Sequence, residues 1–175
     1  MFDRAQFVAD CQAAVAGGRG AVRDVLARAV ADPASVLRAL GEPRAGGIET
    51  LYRGPDLTIV NVIWPGHAVH VPHDHAMWAT IGVYAGREDN ILWRRLPEGG
   101  VEAAGAKSLG VGDTLALGPD GIHSVVNAVP QLTCALQAYG GDFFEAQRSE
   151  WDPLTHIERP YDRETTRRVF AAAGR

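Results

Sequence analysis

The chain has 175 residues, of which 46% are hydrophobic and 22% charged, with a formal net charge of −4. This is the composition of a globular protein long enough to bury one core, so we expect a single domain spanning residues 1–175. The negative balance disfavours a nucleic-acid partner, which needs a basic face, and no run approaches the roughly 18–20 apolar residues of a membrane span.

Residues 1–41 predict a helical layer at the N-terminus. The first helix follows Asp3, a suitable N-cap, and ends at the glycine pair Gly17-Gly18. Residues 20–31 carry apolar side chains at helical spacing. The pair Asp32-Pro33, an N-cap residue followed by proline at the first helical position, opens a third helix that stops near Gly41. We interpret these helices as a layer that packs on the rest of the domain.

Residues 46–148 predict a mainly β structure. Glycine and proline turns separate runs rich in β-branched and aromatic residues, and many short strands of this kind are typical of a sandwich or jelly-roll barrel. The clearest strands are Leu57–Trp64, Trp78–Tyr84, Asn90–Arg95 and Leu132–Tyr139. Residues 149–175 are interpreted as a C-terminal extension that is irregular at first and closes with a helix over Arg163–Ala173.

Three histidines form the strongest chemical pattern. His73 and His75 stand two residues apart, so they project from one face of a strand, and His123 follows a turn far downstream on another predicted strand. No carboxylate follows His75 on that face, where Ala79 and Thr80 stand instead. Three neutral imidazoles leave a divalent ion with its full double charge and with positions for outside ligands.

The other histidines are not counted among the ligands. His70, three residues before His73, is interpreted as a solvated loop residue, with a position at the mouth of the site as the alternative. His67 is interpreted as a structural residue of a turn. His156 has no partner at ligand spacing.

Two segments around the three histidines resemble the two motifs of the cupin superfamily. The segment Gly66–Gly86 resembles the first motif through its His-x-His pair and closing glycine. The segment Gly112–Asn127 resembles the second, with its proline, glycine, histidine and asparagine at Pro119, Gly121, His123 and Asn127. The resemblance implies a single cupin barrel (a double-stranded β-helix or jelly roll) with an N-terminal helical layer and a short C-terminal helix.

Within the cupins, the chain looks most like the cysteine dioxygenase branch, which holds ferrous iron with three histidines and no glutamate. That resemblance implies roles for Tyr139 and Gln137, which occupy the strand that carries catalytic residues in the family. It also implies that Arg53 grips a substrate carboxylate. Met77 and Trp78, directly after the histidine pair, are expected to contact substrate.

The chain departs from that branch at three positions. Gln137 stands where the family usually has a histidine of its proton relay, and Ala135 stands in place of the relay serine. Thr80 replaces the cysteine that cross-links to tyrosine in the mammalian-type enzyme. Glutamine cannot take up a proton, so any relay here is altered.

The leading expectation is therefore a thiol dioxygenase dependent on Fe(II) and O2, which oxidises a small carboxylated thiol such as cysteine or 3-mercaptopropionate to a sulfinate. Two alternatives stay open: a three-histidine zinc cupin with hydrolase or lyase activity, and a cupin that binds a metal or ligand without turnover. Zinc, nickel or manganese are the alternative metals, and a homodimer through strand edges stays open as well.

A cytoplasmic location is expected. The two cysteines, Cys11 and Cys134, lie too far apart in the sequence to suggest a disulfide framework, and the N-terminus lacks the apolar stretch of a signal peptide.

Overall fold

The computed structural model describes residues 1–171 of the chain. Helices α1 to α4 span Arg4–Ala14, Gly18–Val30, Pro33–Leu40 and Arg163–Ala171, with a short 3₁₀ turn at Val15–Gly17. Strands β1 to β11 span Gly47–Arg53, Thr58–Trp64, Val69–Asp74, Ala79–Ala85, Glu88–Arg95, Val101–Leu109, Thr114–Leu117, Ile122–Val126, Thr133–Tyr139, Ser149–Trp151 and Glu158–Pro160. None of the helices within residues 1–171 combines the length and apolar character needed to cross a bilayer.

The strands form two antiparallel sheets that enclose a jelly-roll barrel. One sheet has the order β1-β2-β9-β4-β7, and the other has the order β11-β10-β3-β8-β5-β6. Neighbours in each sheet are mostly distant in sequence, as in the double-stranded β-helix. The predicted mainly β jelly-roll barrel, with helices at both ends of the chain, is confirmed.

Strands β2, β4 and β9 of the first sheet are buried on both faces, which explains why they read as nearly continuous apolar runs. In β2, Val60, Val62 and Trp64 face the barrel interior, whereas Ile59 and Ile63 face the N-terminal helices. Helix α2 lies against β4, where Leu26 and Val30 pack over Gly82. The helical layer thus covers the outer face of the sheet that carries β4 and β9.

Both predicted helix caps are present. The Asp3 carboxylate accepts a hydrogen bond from the backbone N–H of Gln6, and Asp32 accepts one from the N–H of Ser35. These bonds satisfy N–H groups that have no partner inside the helix, and a cap of this kind stabilises a helix by about 1 kcal/mol.

The C-terminal segment is more closely built into the fold than expected. Strands β10 and β11 extend the second sheet, with Glu150 paired to His73 across the strands. Helix α4 places Phe170 in a stacked contact with Trp64, at 5.3 Å between ring centroids. Residues Ala172 and Ala173, included in the predicted helix, lie outside the described residues.

Candidate metal centre

Adjacent strands bring the three predicted ligands into one cluster. His73 on β3 pairs directly across the sheet with His123 on β8, and His75 directly follows β3. The ring centroid of His73 lies 5.0 Å from that of His75 and 4.6 Å from that of His123, and the centroids of His75 and His123 are 5.0 Å apart. One nitrogen from each ring falls within 4.8 Å of the others, which brings the three within reach of one ion.

The hydrogen bonds around the rings leave nitrogens free for such an ion. His73 Nδ1 lies 2.9 Å from the Val71 carbonyl and His123 Nδ1 lies 2.7 Å from Asn90 Oδ1, so each ring directs its Nε2 toward the cluster. His123 Nε2 and His75 Nδ1 are buried and have no hydrogen-bond partner among residues 1–171. Buried polar atoms are rarely left without a partner, and imidazole nitrogen is a preferred ligand for divalent transition metals. The residues therefore fit a three-histidine metal site.

The electrostatics of the cluster favour neutral, ligating imidazoles. Burial lowers the pKa of His123 to about 3, and it holds the pKa values of His73 and His75 well below their usual range, helped by the mutual repulsion of the neighbouring rings. Near neutral pH none of the three rings carries a proton that a metal would have to displace.

A chain of hydrogen bonds behind His123 fixes its orientation. Asn90 accepts from His123 through Oδ1 and donates through Nδ2 to Glu88 Oε1 at 3.1 Å. The other carboxylate oxygen of Glu88 accepts from Trp64 Nε1 at 2.8 Å. All members of this chain are buried, so the tautomer that presents Nε2 of His123 to the cavity is selected by the fold.

We expect Asn90→Ala to weaken metal binding by about 10–100-fold, because His123 loses the acceptor that sets its tautomer. Competition of Zn(II) between the protein and a chromophoric chelator measures the affinity. Asn61→Ala is the matched control, since the Asn61 amide is also buried but accepts from Tyr84 on the opposite face of the first sheet. Equal losses in the two variants, or an unchanged affinity in Asn90→Ala, would contradict this role.

The three histidines line a small cavity of about 30 Å³, here called the inner cavity. The other residues that line it are Ile48, Val62, Trp64, His70, Val125, Gln137, Tyr139, Phe143, Arg148, Tyr161 and Thr166. No aspartate or glutamate appears among the described residues that line it. A larger groove of about 860 Å³ runs between residues 65–71 and the C-terminal segment, but it includes none of the three ligands.

Tyr139 and Gln137 both reach the inner cavity from β9, as predicted residues of the site. The Tyr139 hydroxyl donates a short hydrogen bond to Gln137 Oε1, and the Tyr139 ring lies 5.0 Å from the His75 ring. Burial raises the pKa of Tyr139, so its hydroxyl keeps its proton. Phe143 stacks on Tyr139 at 4.1 Å between ring centroids and holds the phenol in place.

The interpretation of His70 as a solvated loop residue is wrong. His70 is 2% exposed, and its ring lies 4.4 Å from that of His73. The register between β3 and β8 shifts by one residue between His70 and His73, which marks a β-bulge. Because the extra residue breaks the two-residue alternation, His70 and His73 face the same side although they stand three apart.

The structure does not bring Arg53 to the histidines. Its guanidinium donates to both Asp142 carboxylate oxygens, at 3.0 and 2.9 Å, and to Glu145 at 2.9 Å. The side chain is 43% exposed and lies beside the Phe144 ring, outside the inner cavity. Its Nε and Nη2 groups donate to carboxylates of this chain, and the predicted contact with a substrate carboxylate has no support in this arrangement.

Met77 and Trp78 also lie outside the inner cavity. Met77 packs near Gly141, and the Trp78 indole covers Gly140 so closely that a Cβ there would stand 2.1 Å from the ring. Both side chains therefore hold the loop after β9 and do not face the metal ligands.

Thr80 does not lie on the face of the metal ligands, where it was expected together with Ala79. Strand alternation places Ala79 and Ile81 on the interior face of β4. Thr80, by contrast, shares its face with Gly82 and points toward the helical layer. Ala79 is therefore the residue that stands on the site face.

Arg148, Tyr161 and Thr166 line the inner cavity but were missed from the sequence. All three follow β9 in the chain; Tyr161 lies in the stretch predicted to be irregular and Thr166 in the predicted closing helix. The sequence there shows only aromatic and arginine residues among turn-forming residues. This pattern does not indicate whether the segment lines the site or is exposed to solvent.

Comparisons with known proteins identify no close relative. No protein-family profile matches the chain, and neither does any curated protein. A structure of an uncharacterized conserved protein with a double-stranded beta-helix domain from Klebsiella pneumoniae is similar at 15% identity, covering 62% of this chain and 83% of that one with a TM-score of 0.49. KdgF from a Halomonas species is similar at 21% identity, covering 53% and 76% of the two chains with a TM-score of 0.43. A variant of Bacillus subtilis oxalate decarboxylase is similar at 14% identity, covering 60% of this chain but only 27% of that one, with a TM-score of 0.45.

Proposed function

We propose that this protein is a mononuclear thiol dioxygenase that uses Fe(II) and O2 to convert a small carboxylated thiol into its sulfinate. The observation that carries the proposal is the buried cluster of His73, His75 and His123, with no carboxylate among the described residues that line its cavity. Neutral ligands leave a bound divalent ion strongly attractive to an anionic sulfur donor.

In this proposal His73, His75 and His123 hold the iron, which supplies the redox chemistry when bound. The overall reaction adds both atoms of O2 to the sulfur of RSH and gives RSO2H, so that sulfur loses four electrons and O2 gains them. The protein's own residues bind the reactants, orient them and keep water out.

Tyr139 and Gln137 provide a fixed hydrogen-bonding pair beside His75. The amide oxygen of Gln137 accepts a hydrogen bond from the phenol but does not take up its proton. The pair therefore orients Tyr139 without relaying a proton. The phenol oxygen keeps lone pairs that can accept a hydrogen bond from a thiol or from the product acid.

Aromatic side chains around the inner cavity limit the access of bulk water. Phe143 covers Tyr139, and Phe170 covers Trp64 from the C-terminal helix. In a water-poor site, charges and hydrogen bonds act more strongly on the reactants, which suits oxidation of a bound thiolate.

Oxygen uptake by protein loaded anaerobically with Fe(II) tests the proposal. We expect thiol-dependent uptake of one O2 per thiol and a matching amount of sulfinate, with 3-mercaptopropionate and cysteine as the first thiols tried. The zinc-loaded protein serves as the control, because zinc has no redox chemistry under these conditions.

No thiol-dependent uptake by iron-replete protein would defeat the dioxygenase proposal. Hydrolysis or elimination by the zinc-loaded form would then favour the hydrolase or lyase alternative. Ligand binding without turnover would favour a non-catalytic cupin.

A further inference from the structure

His70 carries a buried ring nitrogen for which the chain supplies no partner. The side chain lines the inner cavity, where its ring lies 4.4 Å from that of His73. Its Nδ1 atom is buried and has no hydrogen-bond partner among residues 1–171. Leaving a buried polar atom unpaired costs free energy, which points to a partner that comes from outside the chain.

The other ring nitrogen of His70 is held by two hydroxyl groups of the C-terminal segment. Nε2 lies 3.4 Å from the Tyr161 hydroxyl and 3.4 Å from the Thr166 hydroxyl, and these two hydroxyls share a short hydrogen bond. One hydroxyl hydrogen therefore lies between the two oxygens, and the other has Nε2 as its acceptor. Both hydrogens are satisfied only when Nε2 is unprotonated, so Nδ1 is the nitrogen that carries the ring hydrogen.

His70 lies beside the metal ligands without belonging to them. The ligand atoms of His73, His75 and His123 fall within 4.8 Å of one another, and no fourth residue of the described chain joins this group. A ring nitrogen that carries a hydrogen is a donor and has no lone pair for a metal. Tyr139 lies against the His75 ring, whereas His70 lies against His73, so the two side chains contact different ligands.

We propose that His70 is a ligand-binding residue of the metal centre, and that its Nδ1–H donates a hydrogen bond to a small anion at an open position of the ion. Three neutral ligands leave a divalent ion with its full double charge, which attracts an anion, and the lone pairs of that anion supply the acceptor that Nδ1 lacks. The inner cavity, at about 30 Å³, has space for a group of only a few atoms.

This inference rests on the proposed function for the ion and adds the class of molecule that joins it. An anion such as a thiolate, hydroxide or azide keeps lone pairs after it binds the ion, so it can accept the hydrogen bond from His70. A neutral donor with a single lone pair, such as ammonia, has none left for that bond.

Binding of azide to the Co(II)-loaded protein tests the inference without a thiol or O2. The visible absorbance of Co(II) measures the affinity per bound ion, and the infrared stretch of the bound azide reports its hydrogen bonding. We expect His70→Phe, which fills the space without a donor, to bind azide about 10–100-fold more weakly, the range for a hydrogen bond to a charged group. Exchange of H2O for D2O should shift the azide stretch in the wild type and leave it in place in His70→Phe.

Further variants separate the donor from the shape of the side chain. His70→Gln keeps an N–H donor and should restore part of the azide affinity. The double variant Tyr161→Phe/Thr166→Val removes both hydroxyls at Nε2, so the ring hydrogen is free to move there and the azide affinity should fall as well. His156→Phe is the matched control and should bind azide like the wild type, because His156 lies against Trp93, away from the inner cavity. Thermal denaturation of each variant establishes that the fold is retained.

Equal azide affinity in the wild type and His70→Phe, or no azide binding by wild-type protein replete with Co(II), would overturn the inference. Loss of bound metal in both His70→Phe and His70→Gln would also overturn it, because His70 would then be a metal ligand. Hydrogen-bonded azide in a protein that oxidises no thiol when loaded with Fe(II) would leave the role of His70 assigned and defeat the proposed function alone.

Discussion

His123→Ala should abolish stoichiometric metal binding while the barrel stays folded. The substitution leaves only His73 on β3 and His75 directly after it, and it removes the imidazole that the neighbouring strand β8 contributes at 4.6 Å from His73. We expect the affinity for the metal to fall by more than about 100-fold. Loss of a residue that only orients a ligand costs up to about 100-fold, and loss of the ligand itself should cost more. Metal content after anaerobic loading and gel filtration measures the outcome.

The matched control for this variant is His156→Ala. His156 lies against Trp93 at 5.2 Å between ring centroids, away from the inner cavity. The His156→Ala variant should therefore retain one ion per chain. One ion per chain in His123→Ala would mean that the ligands are misassigned.

Leu26→Ala should lower the free energy of unfolding of the whole domain by about 2–5 kcal/mol, the usual cost of emptying a fully buried leucine site. Leu26 is completely buried between helix α2 and the first sheet, at the centre of the contact between the helical layer and the barrel. The prediction tests whether residues 1–41 and the barrel unfold as one unit.

Tryptophan fluorescence during urea unfolding measures this effect on the barrel itself. The four tryptophans are Trp64, Trp78, Trp93 and Trp151, and none belongs to the helical layer. A shifted fluorescence midpoint in Leu26→Ala shows that the two parts are coupled, and an unshifted midpoint would show that the helices are a separate unit. Leu154→Ala is the control, since Leu154 is 91% exposed and its loss should change stability by less than about 0.5 kcal/mol.

The parts of the fold that sequence predicted well depend on local signals. Asp3 and Asp32 cap helices because their side chains reach N–H groups only three residues away. The strand Leu57–Trp64 is visible because both of its faces are covered, so nearly every side chain in it is apolar. His73 and His123 share a site because each strand carries them on the face that points inward.

The parts that sequence missed depend on geometry that has no local signal. Strand alternation alone predicts that His70 points away from the barrel interior. A one-residue bulge between His70 and His73 directs its side chain inward instead. Arg148 and Tyr161 reach the inner cavity only because the C-terminal segment folds back over the barrel. Family resemblance suggested that Arg53 contacts the substrate. In the structure Arg53 forms salt bridges with Asp142 and Glu145 instead.

X-ray absorption of the metal-loaded protein tests the central claim, a single ion held by three imidazoles, most directly. The arrangement of His73, His75 and His123 predicts one ion per chain whose spectrum shows scattering from three imidazole rings and no protein carboxylate. A spectrum with fewer than three imidazoles, or with a carboxylate from the protein in the coordination sphere, would contradict it.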